Sequence, residues 1–204
     1  MDTAPAEIRG FLECHRSDRV EIIIWDAAKN NRVDVLEWLH KHIPGGVTAG
    51  DCRSSNNCAL RWAAYNGHVA VLEWLHKHGV TAKDCRSDNN FALRQAAYYG
   101  YVGVLEWLDK RIPGGVTAED CRAKDSTVLY WAAHNRSAKV LEWLATKLTL
   151  AEYEGYKCGD VWWRVQRRIR RESMLALVVA GKRKKIRLPP ELWELVWGLG
   201  EQWC

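Results

Sequence analysis

The chain has 204 residues, of which 48% are hydrophobic and 27% charged, and its net charge is +5. This size and composition suit one domain with a sizeable core or a repeat array with a short appendage, and they exclude a disordered chain. The longest apolar run, 174–180, is far shorter than the roughly 20 residues of a membrane-spanning helix. The N-terminus lacks the leader pattern of a secretory signal, so we expect the protein in the reducing cytoplasm, with the nucleus as the alternative.

The first predicted element is a helix over 6–19. Its apolar residues Ile8, Phe11 and Leu12 fall on one side, where they would cover the start of the repeats that follow. Residues 1–21 are therefore predicted to be an N-terminal capping helix.

The sequence VLEWL occurs four times after this helix. The copies begin at Val35, Val71, Val104 and Val140, which gives spacings of 36, 33 and 36 residues. The longer spacings contain an extra Ile-Pro-Gly, at Ile43 and at Ile112, which predicts a loop insertion. Self-similarity at this period is typical of a repeat array whose units stack on one another.

Each unit contains two segments with helical periodicity. An alanine-paired segment comes first (IWDAAKNNR, LRWAAYNGH, LRQAAYYGY and LYWAAHNRS), and the VLEWL segment follows with its apolar residues at helical spacing. Gly67 and Gly100 stand between the two segments, where glycine accepts the left-handed conformation that ends a helix. Each unit is thus predicted to be a helix, a turn and a helix.

The connections between units also recur. Thr81 and Asp84, like Thr117 and Asp120, have the spacing of a capping box and predict a short extra helical turn. Just before the alanine helix, Asn56, Asn89 and Asp125 are residues that tolerate positive φ.

Three of the seven cysteines, Cys52, Cys85 and Cys121, occur in the same recurring Asp-Cys-Arg sequence. Because stacked repeats would hold them apart, we interpret them as small, partly buried free thiols rather than as ligands of one metal or as disulfides.

The two segments resemble the ankyrin repeat. Ala59 to Ala64, Gly67-His68 and Val71 to Leu75 match its first helix, its turn and its second helix. The resemblance implies an all-α fold, an ankyrin-repeat solenoid of helix-turn-helix units over 22–148 with capping helices at both ends. Arg61, Arg94 and Tyr130 depart from the family pattern, because they replace its histidine. The Trp-rich VLEWL form is also similar to viral ankyrin proteins from large DNA viruses of protists, which suggests a viral protein acting in a host cell.

In ankyrin proteins, partners usually contact the concave face, which the ends of the first helices and the tips of the preceding loops form. The resemblance therefore implies a protein partner held by a recognition surface that combines tyrosines with small polar residues. Its predicted residues are Tyr65, Asn66, Tyr98, Tyr99, His134 and Asn135 on the helices and Ser54, Ser55, Asn57, Ser87, Asp88, Asn90, Lys124 and Ser126 on the loops. The alternative is an ordinary solvated face.

Two other features carry competing interpretations. We expect the VLEWL tryptophans at 38, 74, 107 and 143 to form a buried seam between repeats rather than a stacking site for bases or sugars. The histidines of 40–42 and 76–78 point in different directions on a helix, which argues against a shared metal ion and favours solvated helix ends.

Composition changes in the predicted C-terminal cap, 149–204. Residues 161–187 contain ten Lys or Arg and one acidic residue, whereas 1–160 contain 20 basic and 21 acidic residues. One interpretation is a bipartite nuclear import signal, and its basic residues are Arg170, Arg171, Lys182, Arg183, Lys184 and Lys185. The second interpretation, which we favour less, is a basic stripe that contacts nucleic-acid phosphate without sequence preference. The third interpretation is a degenerate helix pair with its basic side in water.

The last predicted element contains a Leu-Pro motif at 188–196. It resembles the opening of an F-box, through which substrate receptors dock on the Skp-type adaptor of cullin ubiquitin ligases, and its residues are Leu188, Pro189, Pro190, Glu191, Leu192 and Val196. A full F-box is about twice this length, so a simple capping helix is the alternative.

Two functions remain open from the sequence. One is a substrate-recruiting ubiquitin ligase adaptor, and the other is a plain binding or decoy scaffold, with nuclear import as a further variant. The sequence contains no phosphate-binding loop, nucleophile motif or Cys/His quartet, so we expect no enzyme activity, no cofactor and no small-molecule substrate.

Overall fold

The computed structural model describes residues 4–15, 18–155, 159–164 and 167. The regular elements of these residues are α-helices and none is a strand, which confirms the predicted all-α class. No helix in this part of the chain is long and apolar enough to span a membrane. The helices are α1 (Ala6–Cys14), α2 (Val20–Lys29), α3 (Val33–His42), α4 (Ala49–Tyr65), α5 (Val69–Lys77), α6 (Ala82–Cys85), α7 (Ser87–Tyr99), α8 (Val102–Arg111), α9 (Ala118–His134), α10 (Ala138–Leu144) and α11 (Leu150–Gly155).

The helices form two layers. α2, α4, α7 and α9 contain the alanine pairs and pack side by side in chain order, and we call them the first helices. α3, α5, α8 and α10 contain VLEWL and make a second row, in which each also packs on its own first helix. This arrangement is the predicted stack of helix-turn-helix units.

Small and branched side chains fill the space between the layers. The alanine pairs at 63–64 and 96–97 are fully buried, as are Val71, Leu72 and Leu75 of the central second helix. The small alanines let the two layers approach closely, and the larger Val and Leu residues fill the core between them. At the N-terminal end, Ile8 and Leu12 of α1 are buried in the same core.

The second-helix tryptophans are buried at the centre and less so at the edges. Trp74 and Trp107 are buried, whereas Trp38 and Trp143 are half-buried. Their rings are separated by imidazoles: His78 stacks on Trp74 with 3.9 Å between centroids, and the ring of His40 meets Trp74 edge-on at 6.4 Å. In the first three units the predicted seam therefore includes histidine rings as well as tryptophans, whereas Trp143 of the fourth unit lies against Lys147.

Three of the four histidines, at 40, 76 and 78, are half-buried and differ from the predicted solvated helix ends, whereas His42 is exposed. His40 is half-buried and its Nδ1 accepts a hydrogen bond from the backbone N–H of Val47, 3.1 Å away. Asp109 takes the same role in the third unit, where its carboxylate accepts from the N–H of Val116 at 2.7 Å. These side chains close the Ile-Pro-Gly loops, so the histidine serves as a hydrogen-bond acceptor for the backbone.

The Thr-x-x-Asp spacing forms the predicted capping boxes. Thr48, Thr81 and Thr117 each exchange hydrogen bonds with the aspartate three residues later. Each aspartate of the two later boxes also receives an arginine from the preceding unit: Arg53 reaches Asp84, and Arg86 reaches Asp120, both with 3.0 Å from Nε to the carboxylate. The Asp-Cys-Arg phrase thus caps its own helix, buries a thiol and pairs with a neighbouring unit.

The same opening occurs once more, after the fourth unit. Thr149 donates its backbone N–H and its hydroxyl to Glu152, and Arg122 of the fourth unit pairs with Glu152 at 2.7 Å. Tyr153 then occupies the position of the buried cysteines, is itself fully buried, and donates its hydroxyl to the carbonyl of Leu141. Residues 149–155, predicted as the start of a cap, therefore have the structure that opens a repeat.

A residue with left-handed backbone conformation stands between the paired helices, and it is glycine in the two central units. Gly67 and Gly100 have φ of +78° and +81°, and at the equivalent positions of the edge units Asn31 and Arg136 have φ of +56° and +52°. A Cβ at Gly67 would lie 2.9 Å from the Tyr101 ring, whereas the nearest atom at Gly100 is 3.4 Å away. We expect Gly100→Ala to lower the free energy of unfolding by about 1 kcal/mol, from positive φ alone.

Gly67→Ala is expected to cost roughly twice as much, because the added methyl group must also displace the Tyr101 ring. Urea unfolding followed by circular dichroism measures both losses. Equal losses at the two positions would contradict the close approach of Tyr101.

Candidate protein-binding face

The first helices place a row of aromatic rings at one edge of the stack. The residues lie within two positions of the alanine pairs. The buried alanines therefore fix the helix, while the aromatic side chains stay half-buried or exposed. We call this row the aromatic face, and its residues are Trp25, Trp62, Tyr65, Tyr98, Tyr99, Tyr130, Trp131 and His134.

Ring contacts in the aromatic face run from the first unit to the fourth without a gap. The Trp25 ring meets Trp62 with 6.5 Å between centroids, and Trp62 meets Tyr65 at 5.2 Å. Tyr65 and Tyr99 are 4.7 Å apart. Tyr98, which contacts Tyr99 at 4.7 Å, then contacts Trp131 of the fourth unit at 4.9 Å. These edge-to-face contacts hold the rings in fixed positions, so the face is organised before any partner arrives.

Polar groups add to this organisation. The Tyr99 hydroxyl donates to the Tyr65 hydroxyl at 2.5 Å. That hydrogen bond, followed by burial and the neighbouring tyrosines, raises the pKa of Tyr99 to about 12. Asn135 donates its amide to the carbonyl of Tyr98 at 2.7 Å and ties the fourth unit to the third. Asn66 donates its amide to the carbonyl of Trp62 in its own helix.

The loop tips before the first helices contain left-handed turns. Residues 55–57 and 88–90 each have three consecutive positive φ values, between 50° and 58°. Such residues cost about 1–2 kcal/mol each in general and least for Asn and Asp, which fill five of the six positions. The prediction of positive φ at Asn56 and Asn89 is confirmed, and the strained turn is longer than expected.

Two loop residues predicted to face a partner are buried instead. Asn57 and Asn90, the last residues of the left-handed turns, are each 8% exposed. The Asn90 amide donates to the Asp120 carboxylate at 3.3 Å. The third left-handed residue turns its side chain into the stack, so these two asparagines support the loop and present no surface to a partner. Ser55 and Asp88 are exposed, and Ser54 and Ser87 are half-buried.

The arginines that replace the family histidine hold the loops. Arg94 donates from Nε to the carbonyl of Asn89 at 2.9 Å and from Nη2 to the carbonyl of Asp88 at 3.1 Å. Arg61 of the preceding unit reaches the Asp88 carboxylate at 3.4 Å, and its guanidinium lies 5.4 Å from the Phe91 ring centroid. The loop tip is thus fixed from two units.

The cysteine interpretation is confirmed for the three recurring thiols. Cys52, Cys85 and Cys121 are free and buried, and burial raises the pKa of each thiol to about 12, so they stay protonated. Within 4–15, 18–155 and 159–164, no three His, Cys, Asp or Glu side chains come together in a group that could hold a metal ion.

Sequence reasoning missed four members of the face: Trp25, Trp62, Tyr130 and Trp131. The available signal was the aromatic residue one or two positions before the alanine pair in three of the four units. Lys124 and Ser126 lie in α9, and nothing is described of their side chains. Both the Leu-Pro motif at 188–196 and the candidate import signal at 170–185 lie outside the described residues.

Comparison with known proteins supports the interpretation of the stack. Residues 24–120 match the family model of ankyrin repeats in three copies, and α9 and α10 continue the same helix pair beyond that range. No curated protein matches the chain, and no solved structure does. The matched range and the two helix layers agree, and we conclude that residues 24–120 are ankyrin repeats within an all-α solenoid.

Proposed function

We propose that the aromatic face binds a protein partner, and that the chain is a protein-protein interaction module of the ankyrin type. The ankyrin repeat is a binding scaffold rather than an enzyme fold, and the match over 24–120 supports the general role. The observation that carries the proposal for this face is the unbroken row of ring contacts, in which Tyr99 and Tyr130 remain 39% and 44% exposed. Exposed, rigid aromatic side chains give large contact area at a low entropic cost.

Affinity capture with the full chain tests the face. Tyr99→Ala removes an exposed ring at the centre of the row, and we expect it to weaken retention of the partner about 30-fold, the effect of losing about 2 kcal/mol at a central aromatic anchor. Lys139→Ala is the matched control, because Lys139 is exposed on α10 in the second-helix row. Circular dichroism checks that both variants are folded. Equal retention by the parent chain and Tyr99→Ala would contradict the proposal.

We further propose that the C-terminal segment docks on a ubiquitin ligase, so that the repeats recruit a target. The support is the resemblance of Leu188 to Val196 to the opening of an F-box. A purified Skp-type adaptor should be retained by the full chain and not by a chain that ends at residue 185. If the full chain does not retain the adaptor, the protein is a plain binding or decoy scaffold, in the cytoplasm or, if residues 170–185 direct import, in the nucleus.

A further inference from the structure

The aromatic face contains cations and few carboxylates. The first-helix segments of the second, third and fourth units, 58–66, 91–99 and 127–135, contain no Asp or Glu, but they contain Arg61 and Arg94. The first unit contributes one carboxylate, that of Asp26, which lies 3.4 Å from the Nε2 of His15. The side chains that surround the rings therefore carry an excess of positive charge.

Lys29 is a third cation beside the rings, in the first unit. Its ammonium lies 5.3 Å from the Trp62 ring centroid and 5.7 Å from that of Trp25. The side chain is exposed, and no carboxylate of the described residues pairs with it. Contact with the rings orients the charge without neutralising it, so Lys29 can still pair with an anion.

The two arginines are only partly compensated. Arg94 donates to two backbone carbonyls, which accept its hydrogen bonds but carry no formal charge. Arg61 shares Asp88 as its single carboxylate partner among the described residues, and its Nε is buried without an acceptor. The three cations Lys29, Arg61 and Arg94 thus outnumber the two carboxylates of the row, those of Asp26 and Asp88, and complementary charge from a partner would be favourable there.

The length of the row suits an extended chain. Four first helices lie side by side, and helices pack at about 10 Å, so the row spans about 30 Å. An extended peptide covers that distance with about nine residues. Alternate residues of such a peptide point to the same side, which places every second side chain against the rings.

We propose that the aromatic face binds an extended acidic segment of a partner protein, whose carboxylates pair with Lys29 and the Arg61–Arg94 region while apolar side chains lie on the rings. This inference rests on the proposed function and specifies the chemistry of its partner. A single-stranded nucleic acid is also anionic and stacks on aromatic rings, but it needs a more continuous cationic track, and residues 1–160 carry 20 basic and 21 acidic residues.

The test uses the full chain and three fluorescein-labelled nine-residue peptides that alternate leucine with glutamate, glutamine or lysine, together with a nine-nucleotide oligothymidine. Fluorescence anisotropy measures the binding. The salt concentration is about 0.1 M, because lower salt would exaggerate the effect of surface charge and much higher salt would screen it. We expect the glutamate peptide to bind at least tenfold more tightly than each of the other three ligands. Lys29→Glu should weaken it at least tenfold and Lys29→Gln less, whereas Lys139→Glu on α10 should leave it unchanged.

Other outcomes overturn the inference. Equal affinity for the glutamate and glutamine peptides would contradict an acidic partner, and so would tighter binding of oligothymidine. Binding of the glutamate peptide that Lys29→Glu does not change belongs to the basic residues at 161–187 and also overturns it. If Tyr99→Ala still weakens retention of the partner in those cases, the aromatic face binds a protein of different charge, and the proposed function stands without this inference.

Discussion

Asp120→Ala is expected to lower the free energy of unfolding by about 3 kcal/mol. The Asp120 side chain is buried and accepts hydrogen bonds from the backbone N–H and hydroxyl of Thr117, from two nitrogens of Arg86 and from the amide of Asn90. The substitution removes a helix cap, worth about 1 kcal/mol, and leaves the buried Asn90 amide with only the backbone carbonyl of residue 120, 3.4 Å away, as its acceptor. Arg86 regains water on its exposed part, so the loss lies at the low end of values for broken buried pairs. Urea unfolding measures it.

Asp34→Ala is the control for this prediction. Asp34 also pairs with an arginine, at 2.7 Å from Arg32, but its side chain is 47% exposed and its partner is two residues away in the same unit. Pairs of this kind contribute less than about 1 kcal/mol. A similar loss for both variants would show that contacts between units contribute no more than local ones.

Lowering the pH should weaken the same contacts, because it protonates their carboxylates. Burial alone would raise the pKa of Asp84, Asp120 and Glu152, but their hydrogen bonds from arginine and threonine outweigh it and lower each pKa below its ordinary value. Because the folded-state pKa is the lower one, these groups stabilise the fold fully above about pH 5. The contribution is lost as the pH falls through the folded-state pKa values, which lie below 3.8 for the two aspartates and below 4.5 for Glu152. Asp120→Ala should lose less stability than the parent chain between pH 5 and 3.

Trp107→Ala is expected to cost about 3–5 kcal/mol, the range for removing a buried tryptophan. The Trp107 ring is 3% exposed, and His76 of the preceding unit contacts it edge-on at 6.2 Å. Removing the ring therefore leaves a cavity between two units, and residues of both units line it. Urea unfolding gives the size of the loss, and a broadened transition would show that the units have begun to unfold separately.

Trp107→Phe separates ring packing from the indole nitrogen. The Nε1 of Trp107 is buried and no described residue accepts its hydrogen bond. Phenylalanine keeps most of the apolar contact and removes the unpaired donor, so the two effects partly cancel and we expect a change within about 1 kcal/mol. If Trp107→Phe is as damaging as Trp107→Ala, the indole nitrogen has a partner in solution, and our account of this position is wrong.

Much of the fold could be predicted from sequence because its determinants are local and recur. The alanine pair, the VLEWL stripe, Gly67 and the Thr-x-x-Asp box act within about ten residues of chain, and the structure confirms each of them. The Ile-Pro-Gly insertions were visible as differences between otherwise equal copies.

The features that were not predicted depend on pairs more than 30 residues apart or on side-chain direction. Arg86 and Asp120 are 34 positions apart, and nothing in either local sequence indicates that they meet. Likewise, the burial of Asn57 follows from three left-handed residues in a row, whereas the sequence indicated only a turn. The sequence predicts a solvated imidazole at His40. The hydrogen bond that its ring accepts from the backbone N–H of Val47 forms only when the loop folds over the ring.

Site-specific photo-cross-linking tests the central claim, that the partner contacts the aromatic face. The full chain would carry p-benzoylphenylalanine in place of Tyr99 or, as the control, in place of Lys139 on α10, and would be irradiated with the protein that the parent chain retains. Our account predicts a cross-link to that protein from position 99 and none from position 139. A cross-link to the same protein from position 139 and not from position 99 would place the partner on the second-helix side and contradict the account.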